Sequence, residues 1–399
     1  MKAVILAAGE GTRMRPLTED TPKPLLPVAG KPIIQHNIDL IEDNVDEIIV
    51  VAGYKIEQFE DYFSETDVTV IEQKEARGTA DAALQARDLV DDKTLIMNGD
   101  DIYGKDVRNI TEHSTAFAAA RAEKPENFGV LDTSEGEIIS IVEKPDEPPT
   151  DLVNIGCYLV KSRFFELLEN VEVSERGEYE ITDALSMYVA EEDVNVLETD
   201  QWLPCSYPWQ LVEANRKLIS DVEREISGKV DETSVIKDNV ILEEGAEIKE
   251  HCVVEGPAII RSEAVIGPDS YIRPGSVLHS GVKVGKSEVK NTVVREEASV
   301  PHFSYAGDSY IGQNANLGAG VKTANLRNDD STVYMSIKGE MHDTGMRKLG
   351  AIIGSEAHIG VNTSVKPGRK IGYEASVDSG EKVEKNVPNG RTLKDGEIK

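Results

Sequence analysis

The chain has 399 residues and a formal net charge of −30, from 73 acidic and 43 basic side chains. Its length favours two or three domains over a single core. The acidic excess argues against a nucleic-acid-binding surface, which needs clustered Lys and Arg, and because it is spread along the chain it predicts no acidic interaction tail. We expect such a protein to be most stable where salt screens the repulsion, as in a salt-rich cytoplasm.

Three cysteines, Cys157, Cys205 and Cys252, lie far apart and match no metal-binding spacing. We predict that they are reduced core residues of a cytoplasmic protein. The N-terminus has no apolar run longer than a strand, and no apolar stretch reaches the roughly 18 residues of a membrane span. We therefore expect neither a signal peptide nor a membrane-spanning segment.

The sequence up to about residue 228 alternates short apolar runs with segments of helical periodicity. Apolar runs that begin at residues 2, 45, 67 and 93 predict parallel strands buried on both faces. Helices are predicted between them over 31–43, 55–63 and 78–90, and a long amphipathic helix over 208–226 is predicted to close this half. The alternation is typical of a doubly wound, Rossmann-like α/β sheet, in which ligands bind beyond the carboxyl ends of the strands.

The first predicted strand runs into the sequence LAAGEGTRMRPLTEDTPKP, which contains Gly9 and Gly11. Two glycines at a strand end are typical of a phosphate-binding loop, because backbone N–H groups approach a phosphate closely where no Cβ intervenes. The dinucleotide fingerprint needs a third glycine where this chain has Met14, and no Gly-Lys-Ser/Thr triplet of the Walker pattern follows. The loop fits neither common template.

The pattern changes after Gly228. Aliphatic residues then recur every six positions, first at Ile236, Leu242, Ile248, Val254, Ile260, Ile266, Ile272, Leu278 and Val284, and again at Ile353, Ile359, Val365, Ile371 and Val377. A six-residue period predicts a parallel β-helix with three short strands per coil.

Two interruptions of this repeat carry further predictions. The phase is lost near Glu297, and the segment from Lys322 to Leu349 is expected to be an excursion loop. We predict two domains, residues 1–228 and 229–399, and association of subunits through the extended face of the β-helix.

The motif LxxGxGTRxxPLTxxxPKPL, present from Leu6 to Leu25, resembles that of the sugar-1-phosphate nucleotidylyltransferases. The whole chain is similar to the archaeal form of the bifunctional N-acetylglucosamine-1-phosphate uridylyltransferase/glucosamine-1-phosphate acetyltransferase family, whose β-helix is left-handed. The resemblance implies that a hexose-1-phosphate attacks the α-phosphorus of UTP or dTTP and that pyrophosphate leaves. It implies that Arg13 neutralises the pyrophosphate and Lys23 the α- or sugar phosphate; solvated loop cations are the alternative.

The same resemblance implies a magnesium site. Asp100, in the sequence MNGDD, is the implied Mg²⁺ ligand, since this hard cation prefers a carboxylate together with substrate phosphates. Asp101 is the less favoured carboxylate because adjacent side chains point in opposite directions. Asn215 matches the second ligand of the uridylyltransferase relatives, and a solvent-facing helix residue is an equal alternative.

Further substrate contacts are implied residue by residue. For the nucleotide they are Leu6, Gly9, Gly11, Gln73, Gly78 and Thr79, and for the sugar Gly129, Glu143, Lys144 and Asn154. The amide of Gln73 suits a pyrimidine edge, and its match to the uridylyltransferases implies a preference for uracil over thymine; the alternative is a plain surface side chain. A surface carboxylate at a strand end is the alternative for Glu143.

In the second half the resemblance implies an acetyltransferase with His302 as general base. Arg273 and Lys290 are implied to bind the sugar phosphate and Glu288 to orient the amine. Tyr305 and Asn325 complete the set of residues that hold the substrate.

The co-substrate acetyl-CoA is expected along the coils from Ile353 to Val377, between neighbouring subunits of a trimer. Two other interpretations remain open. One is a single-activity UTP or dTTP:glucose-1-phosphate nucleotidylyltransferase whose β-helix only assembles the oligomer. The other is an inactive sensor of nucleotide sugars, which the intact loop and Asp100 disfavour.

Overall fold

The computed structural model describes every residue from Met1 to Lys399. Two compact units divide the chain: one comprises Met1–Glu10, Pro22–Leu25 and Ile33–Pro204, and the other Gly11–Thr21, Leu26–Pro32 and Cys205–Lys399. The second unit thus combines the C-terminal part of the sequence with two short segments of its first 32 residues.

The first 218 residues contain all six α-helices of the chain. The elements in chain order are β1 (Lys2–Ala7), β2 (Pro27–Val28), β3 (Lys31–Pro32), α1 (Ile33–Ile41), β4 (Glu47–Ala52), α2 (Ile56–Phe63), β5 (Thr69–Glu72), α3 (Thr79–Leu84), β6 (Lys93–Asn98), β7 (Ala116–Arg121), β8 (Gly129–Ser134), β9 (Glu137–Glu143), β10 (Leu152–Lys161), α4 (Arg163–Leu168), α5 (Ile181–Glu191), β11 (Asn195–Glu198) and α6 (Pro208–Leu218). None of these helices combines the length and the apolar composition that crossing a bilayer requires.

A nine-stranded sheet forms the centre of the first unit, in the order β5-β4-β1-β6-β10-β7-β11-β9-β8. Strands β5, β4, β1 and β6 are parallel, as predicted, and β10 runs antiparallel to β6. Both faces of β1 are buried: Val4 and Leu6 belong to one apolar cluster, Ala3 and Ile5 to another. Because both faces of β1 pack against apolar cores, polar groups that bind a ligand are expected beyond the carboxyl end of the strand.

The long helix predicted over 208–226 is shorter than expected. Helix α6 ends at Leu218, a 3₁₀ turn covers Ile219–Asp221, and Glu225–Ile226 is already the first strand of the β-helix. The apolar residues Ile219 and Val222 continue the helical spacing, yet they pack on Ile259 and Val277 of the β-helix. Apolar residues at helical spacing therefore do not show by themselves whether the helix continues or the chain packs against the β-helix.

The β-helix prediction is confirmed. The remaining strands are β12 (Glu225–Ile226), β13 (Lys229–Val230), β14 (Val235–Lys237), β15 (Val240–Leu242), β16 (Glu247–Ile248), β17 (Val253–Glu255), β18 (Ala258–Ile260), β19 (Val265–Ile266), β20 (Tyr271–Arg273), β21 (Ser276–Leu278), β22 (Lys283–Gly285), β23 (Glu288–Lys290), β24 (Val293–Val294), β25 (Ser299–Pro301), β26 (Tyr305–Gly307), β27 (Tyr310–Ile311), β28 (Asn316–Leu317), β29 (Lys322–Thr323), β30 (Tyr334–Ile337), β31 (Glu340–Asp343), β32 (Ala351–Ile353), β33 (His358–Ile359), β34 (Ser364–Val365), β35 (Arg369–Ile371), β36 (Ser376–Val377), β37 (Lys382–Val383), β38 (Thr392–Lys394) and β39 (Glu397–Ile398). From β12 to β29, and again from β32 to β37, every third strand joins the same parallel ladder, so three sheets enclose one apolar core.

The coils continue through the loss of phase that the sequence suggested. Val284, Val289 and Val294 are five residues apart, and all three are buried in the same core. The corners between these three valines are therefore one residue shorter than the six-residue repeat requires, and the shift begins before Glu297. The excursion between β29 and β32 is also confirmed, and it contains the hairpin β30–β31.

The three cysteines are buried, as predicted, and none of them forms a disulfide. Burial raises the pKa of the Cys157 thiol above its ordinary value, which keeps it protonated and unreactive.

Candidate active sites

Lys23 and Asp100 meet at the edge of the first unit's sheet. Lys23 Nζ donates to Asp100 Oδ2 over 2.5 Å, and the side chains are 7% and 42% exposed. A buried ammonium group needs a counter-charge, so Lys23 is not the solvated loop cation of the alternative interpretation. Asp100 follows β6 and keeps a large part of its carboxylate open to solvent.

The neighbouring carboxylate Asp101 has a structural role. Its Oδ2 accepts a hydrogen bond from Trp202 Nε1 over 3.1 Å, its backbone carbonyl accepts one from Asn37 Nδ2 over 2.8 Å, and it is 9% exposed. Asp100, with a carboxylate open to solvent, therefore fits a hard cation that also binds phosphates.

Asn215, the predicted second metal ligand, is buried. It is 1% exposed; Oδ1 accepts from the Ala29 backbone N–H over 3.0 Å, and Nδ2 donates to the Gly275 carbonyl over 2.9 Å. Asn215 is therefore not the solvent-facing residue of the alternative interpretation. Its amide joins α6, the chain before β3 and a β-helix corner.

The phosphate-loop candidate contains two glycines of different character. A Cβ at Gly9 would meet no atom within 4 Å, so packing does not require glycine there. Gly11 has a left-handed backbone with φ of +62°, and its carbonyl accepts from Thr18 Oγ1 over 2.9 Å. Arg13, two residues on, is exposed, and its guanidinium lies 5.6 Å from the ring centroid of Tyr207. Leu6 is a buried β1 residue whose carbonyl accepts from the Gly99 N–H over 2.8 Å.

Gln73, after β5, is 6% exposed and is not a surface side chain. Its Nε2 donates to the Gly78 carbonyl over 3.1 Å and to Asp81 Oδ2 over 2.8 Å, and Arg77 holds the other oxygen of Asp81 over 2.6 Å. Both partners of Nε2 only accept hydrogen bonds, which fixes the orientation of the amide. Thr79 Oγ1 accepts from the backbone N–H of Ile181 over 3.0 Å.

Gly78→Ala is expected to destabilise the first unit. Gly78 has φ of +118°, and a Cβ there would lie 2.5 Å from the Tyr179 carbonyl oxygen. Backbone strain and the clash together should lower the free energy of unfolding by about 2–4 kcal/mol. Urea unfolding of Gly78→Ala beside Gly136→Ala tests this, since Gly136 has φ of +88° but open space at its Cβ. Equal losses in the two variants would contradict the clash.

The predicted sugar residues Gly129, Glu143 and Asn154 lie together. A Cβ at Gly129 would be 3.0 Å from Glu143 Oε2 and 3.6 Å from the Asn154 Cβ. Asn154 Nδ2 donates to Tyr158 Oη over 2.8 Å, and burial raises the pKa of Tyr158, which keeps that hydroxyl protonated. The Glu143 side chain is 23% exposed, and Lys144 Nζ lies 3.4 Å from its Oε1.

One outer face of the β-helix brings together the predicted acetyltransferase residues. Strand pairing places Glu288 beside Tyr305, and Arg273 beside Lys290. The alternate residues Ile272 and Val289 point into the core, so these four side chains point outward on one face. Arg273 Nη1 donates to Glu288 Oε1 over 2.8 Å.

Asp308 organises this face, although the sequence did not single it out. Its carboxylate is 5% exposed and accepts from Lys290 Nζ over 2.8 Å, from Asn291 Nδ2 over 2.8 Å and from Asn325 Nδ2. Asn325 also donates to Tyr305 Oη over 3.1 Å. Burial, followed by the charge of Asp308, raises the pKa of Tyr305.

His302 lies at the corner between β25 and β26. It has φ of +52° and the next residue, Phe303, φ of +62°. The corner is fixed because the His302 N–H donates to the Gly285 carbonyl over 2.6 Å and its own carbonyl accepts from the Gly320 N–H over 2.7 Å. The imidazole is exposed and makes no hydrogen bond within the chain, so its nitrogens are open to a substrate.

Comparison with known proteins identifies the family of this chain. The family model described as Nucleotidyl transferase matches residues 2–220. The bifunctional protein GlmU of Methanocaldococcus jannaschii is 45% identical over 376 residues, which cover 93% of this chain and 92% of that protein. The chain belongs to the bifunctional GlmU family. A second GlmU-type relative, the bifunctional sugar-1-phosphate nucleotidylyltransferase/acetyltransferase of Sulfurisphaera tokodaii, is 37% identical over 99% of this chain and all of its own length.

A solved structure extends the comparison to the fold. UDP-glucose pyrophosphorylase complexed with UDP-glucose superposes with a TM-score of 0.51 at 24% identity, covering 54% of this GlmU-family chain and 97% of that protein. The nucleotidyltransferase fold of the N-terminal part is therefore shared.

Three residues of this GlmU-family chain hold predicted site residues in place but were not themselves predicted. Asp81 is hydrogen-bonded to Gln73, Tyr158 to Asn154, and Asp308 to residues of the acetyltransferase face. Each of them lies within four residues of a predicted site residue: Asp81 follows Thr79, Tyr158 follows Asn154 and Asp308 follows Tyr305.

Proposed function

We propose that this protein acetylates glucosamine-1-phosphate with acetyl-CoA in residues 229–399. It then transfers a uridylyl group from UTP to N-acetylglucosamine-1-phosphate in residues 1–228, with release of pyrophosphate. The observation that carries the two-activity proposal is the outer face of the β-helix. Arg273, Glu288, Lys290 and Tyr305 lie there side by side, an arrangement that an assembly domain alone does not need.

In uridylyl transfer an oxygen of the sugar phosphate forms a bond to the α-phosphorus of UTP while the bond to pyrophosphate breaks. Negative charge moves to the leaving group; Arg13 neutralises the departing pyrophosphate, and Lys23 neutralises the α- or sugar phosphate. Lys23 is buried against Asp100, so its ammonium group needs little reorganisation when a phosphate arrives. We infer that Asp100 holds Mg²⁺, which would supply further charge neutralisation on the phosphates.

The fixed amide of Gln73 determines which base fits. Both hydrogen-bond partners of Nε2 lie within the protein, which leaves Oε1 to accept from the base. Uracil and thymine offer an imide N–H at that edge, whereas cytosine offers a second acceptor. UTP and dTTP are therefore substrates, with UTP preferred on the resemblance of the chain.

CTP is expected to be rejected by at least about 10²-fold in kcat/KM relative to UTP, because two acceptors would face each other. Pyrophosphate release from UTP, dTTP and CTP with N-acetylglucosamine-1-phosphate measures this. In Gln73→Leu, which lacks the acceptor, the discrimination should shrink toward unity. Unchanged discrimination in that variant would contradict base recognition by Gln73.

In acetyl transfer the amine nitrogen of glucosamine-1-phosphate attacks the thioester carbonyl carbon. His302 takes a proton from the amine, the C–S bond breaks and the CoA thiolate leaves. Arg273 and Lys290 bind the sugar phosphate, and Glu288, held by Arg273, orients the amine. Tyr305 and Asn325 are joined to each other and contact the rest of the substrate, and acetyl-CoA lies along the coils from Ile353 to Val377.

Several finer points belong to the same proposal. The protein is a cytoplasmic trimer assembled through the β-helix, and its charge of −30 is screened by a salt-rich medium. Light scattering measures the oligomer. Thermal unfolding at low and molar salt measures the screening, and an unchanged midpoint would contradict it.

The runner-up function is a single uridylyl or thymidylyl transfer to glucose-1-phosphate, with a β-helix that only assembles the oligomer. Free CoA thiol separates the two when glucosamine-1-phosphate and acetyl-CoA are supplied without nucleotide. Two activities predict steady thiol release that needs both compounds. Absence of thiol, with pyrophosphate still formed from UTP and glucose-1-phosphate, would leave the single activity.

A further inference from the structure

Arg13 is held by an aromatic stack rather than by a carboxylate. Its guanidinium carbon lies 5.6 Å from the Tyr207 ring centroid. Tyr207 in turn stacks on Trp209, with ring centroids 4.6 Å apart and ring planes 3° apart. A guanidinium over an aromatic face is a directed contact that leaves the N–H edges free for another partner.

The stack is built on a fixed helix start. The Tyr207 N–H donates to Gln210 Oε1 over 2.9 Å, and the Gln210 N–H donates back to the Tyr207 carbonyl over 3.0 Å. Trp209 is 6% exposed, and the buried amide of Asn215 ties the same helix to the Ala29 N–H and the Gly275 carbonyl. Tyr207 is therefore positioned by the backbone and not by Arg13.

The excursion of the β-helix also contacts Tyr207. His342 of β31 lies with its ring centroid 5.7 Å from that of Tyr207, and the planes are tilted by 39°. Its cross-strand partner Met335 is fully buried and Ile337 is 4% exposed, so the hairpin is anchored by its own apolar face. A segment inserted between coils thus contacts the support of a loop near the N-terminus.

We propose that Tyr207 is a positioning residue for nucleotidyl transfer, and that the excursion hairpin completes its support through His342. The proposal rests on the function proposed above, in which Arg13 neutralises the departing pyrophosphate. Arg13 is exposed on a loop and would otherwise sample many rotamers. The aromatic face limits the rotamers of Arg13 before substrate binds. A charge that is already in place stabilises the transition state more than one that must first reorient. The excursion hairpin thereby contributes to the placement of Arg13.

Steady-state uridylyl transfer by Tyr207→Leu and Tyr207→Phe tests the proposal. The leucine variant should lose about tenfold in kcat with KM for UTP changed less than twofold, and the phenylalanine variant should restore most of the rate. His342→Ala should lose about threefold and His342→Phe little. Thiol release from acetyl-CoA should be unchanged in all four, which shows that each protein is folded.

The combination with Arg13→Ala distinguishes positioning from a general structural effect. If Tyr207 acts through Arg13, the double variant should be no slower than Arg13→Ala alone. A full tenfold loss on top of Arg13→Ala, or a wild-type kcat for Tyr207→Leu, would overturn the proposal. A wild-type rate for Arg13→Ala would overturn its premise, whereas wild-type protein that forms no pyrophosphate would refute the proposed function itself.

Discussion

Asp100→Ala is expected to lower uridylyl transfer by about 10³-fold or more, equivalent to about 4 kcal/mol of transition-state stabilisation. The variant removes the exposed carboxylate that we assign to Mg²⁺, and with it the nearer of the two carboxylates at the buried Lys23 ammonium, since Asp101 Oδ1 lies 4.0 Å away. The lost activity is measured as pyrophosphate release with saturating UTP and N-acetylglucosamine-1-phosphate. CoA thiol release by the same sample should stay at the wild-type rate.

Asp100→Asn is the matched variant, because it keeps the shape and one oxygen while removing the charge. It should be nearly as slow as Asp100→Ala, since an amide binds Mg²⁺ and pairs with Lys23 weakly. A wild-type rate in either variant would contradict the role of Asp100. Loss of both activities together would indicate misfolding, which the thermal unfolding midpoint identifies independently.

His302→Asn is expected to lower acetyl transfer by about 10²- to 10⁴-fold, the usual contribution of a general base. Asparagine is preferable to alanine here because residue 302 has φ of +52°, and Asn tolerates the left-handed region with little strain. The corner and its hydrogen bonds to Gly285 and Gly320 should persist. Thiol release with glucosamine-1-phosphate and acetyl-CoA measures the loss.

Uridylyl transfer by the same variant provides the internal control and should be unchanged. Phe303→Asn changes the neighbouring residue, whose φ is +62°, and controls for a general effect of altering this corner. It should keep most of the thiol release. Equal losses in the two variants would contradict a specific role for the imidazole.

The fold could be predicted because its two halves have different hydrophobic periods. The residues of β1 are buried in two apolar clusters, one on each face of the sheet. The aliphatic residues of the six-residue repeat are buried in the single core of the β-helix. Burial therefore determines both sequence patterns. The end of α6 could not be predicted, because Ile219 and Val222 are apolar at helical spacing but pack against β-helix residues distant in sequence. Tertiary contacts decided that boundary.

Candidate site residues were predictable where they belong to a recognisable sequence motif. Lys23 and Asp100 come from separate stretches, yet both belong to recognisable patterns, and they form a direct ion pair. The sequence does not reveal that the amide of Asn215 is buried and hydrogen-bonded to Ala29 and Gly275. The Tyr207 stack was equally hidden, since His342 reaches it only through an excursion whose path no local pattern specifies.

In the proposed function one chain performs both reactions in sequence. Supplying glucosamine-1-phosphate, acetyl-CoA, UTP and Mg²⁺ together, and following products by mass spectrometry, tests this most directly. We expect UDP-N-acetylglucosamine, with one CoA thiol and one pyrophosphate released for each molecule formed. Pyrophosphate and UDP-glucosamine without thiol release would contradict the two-step function.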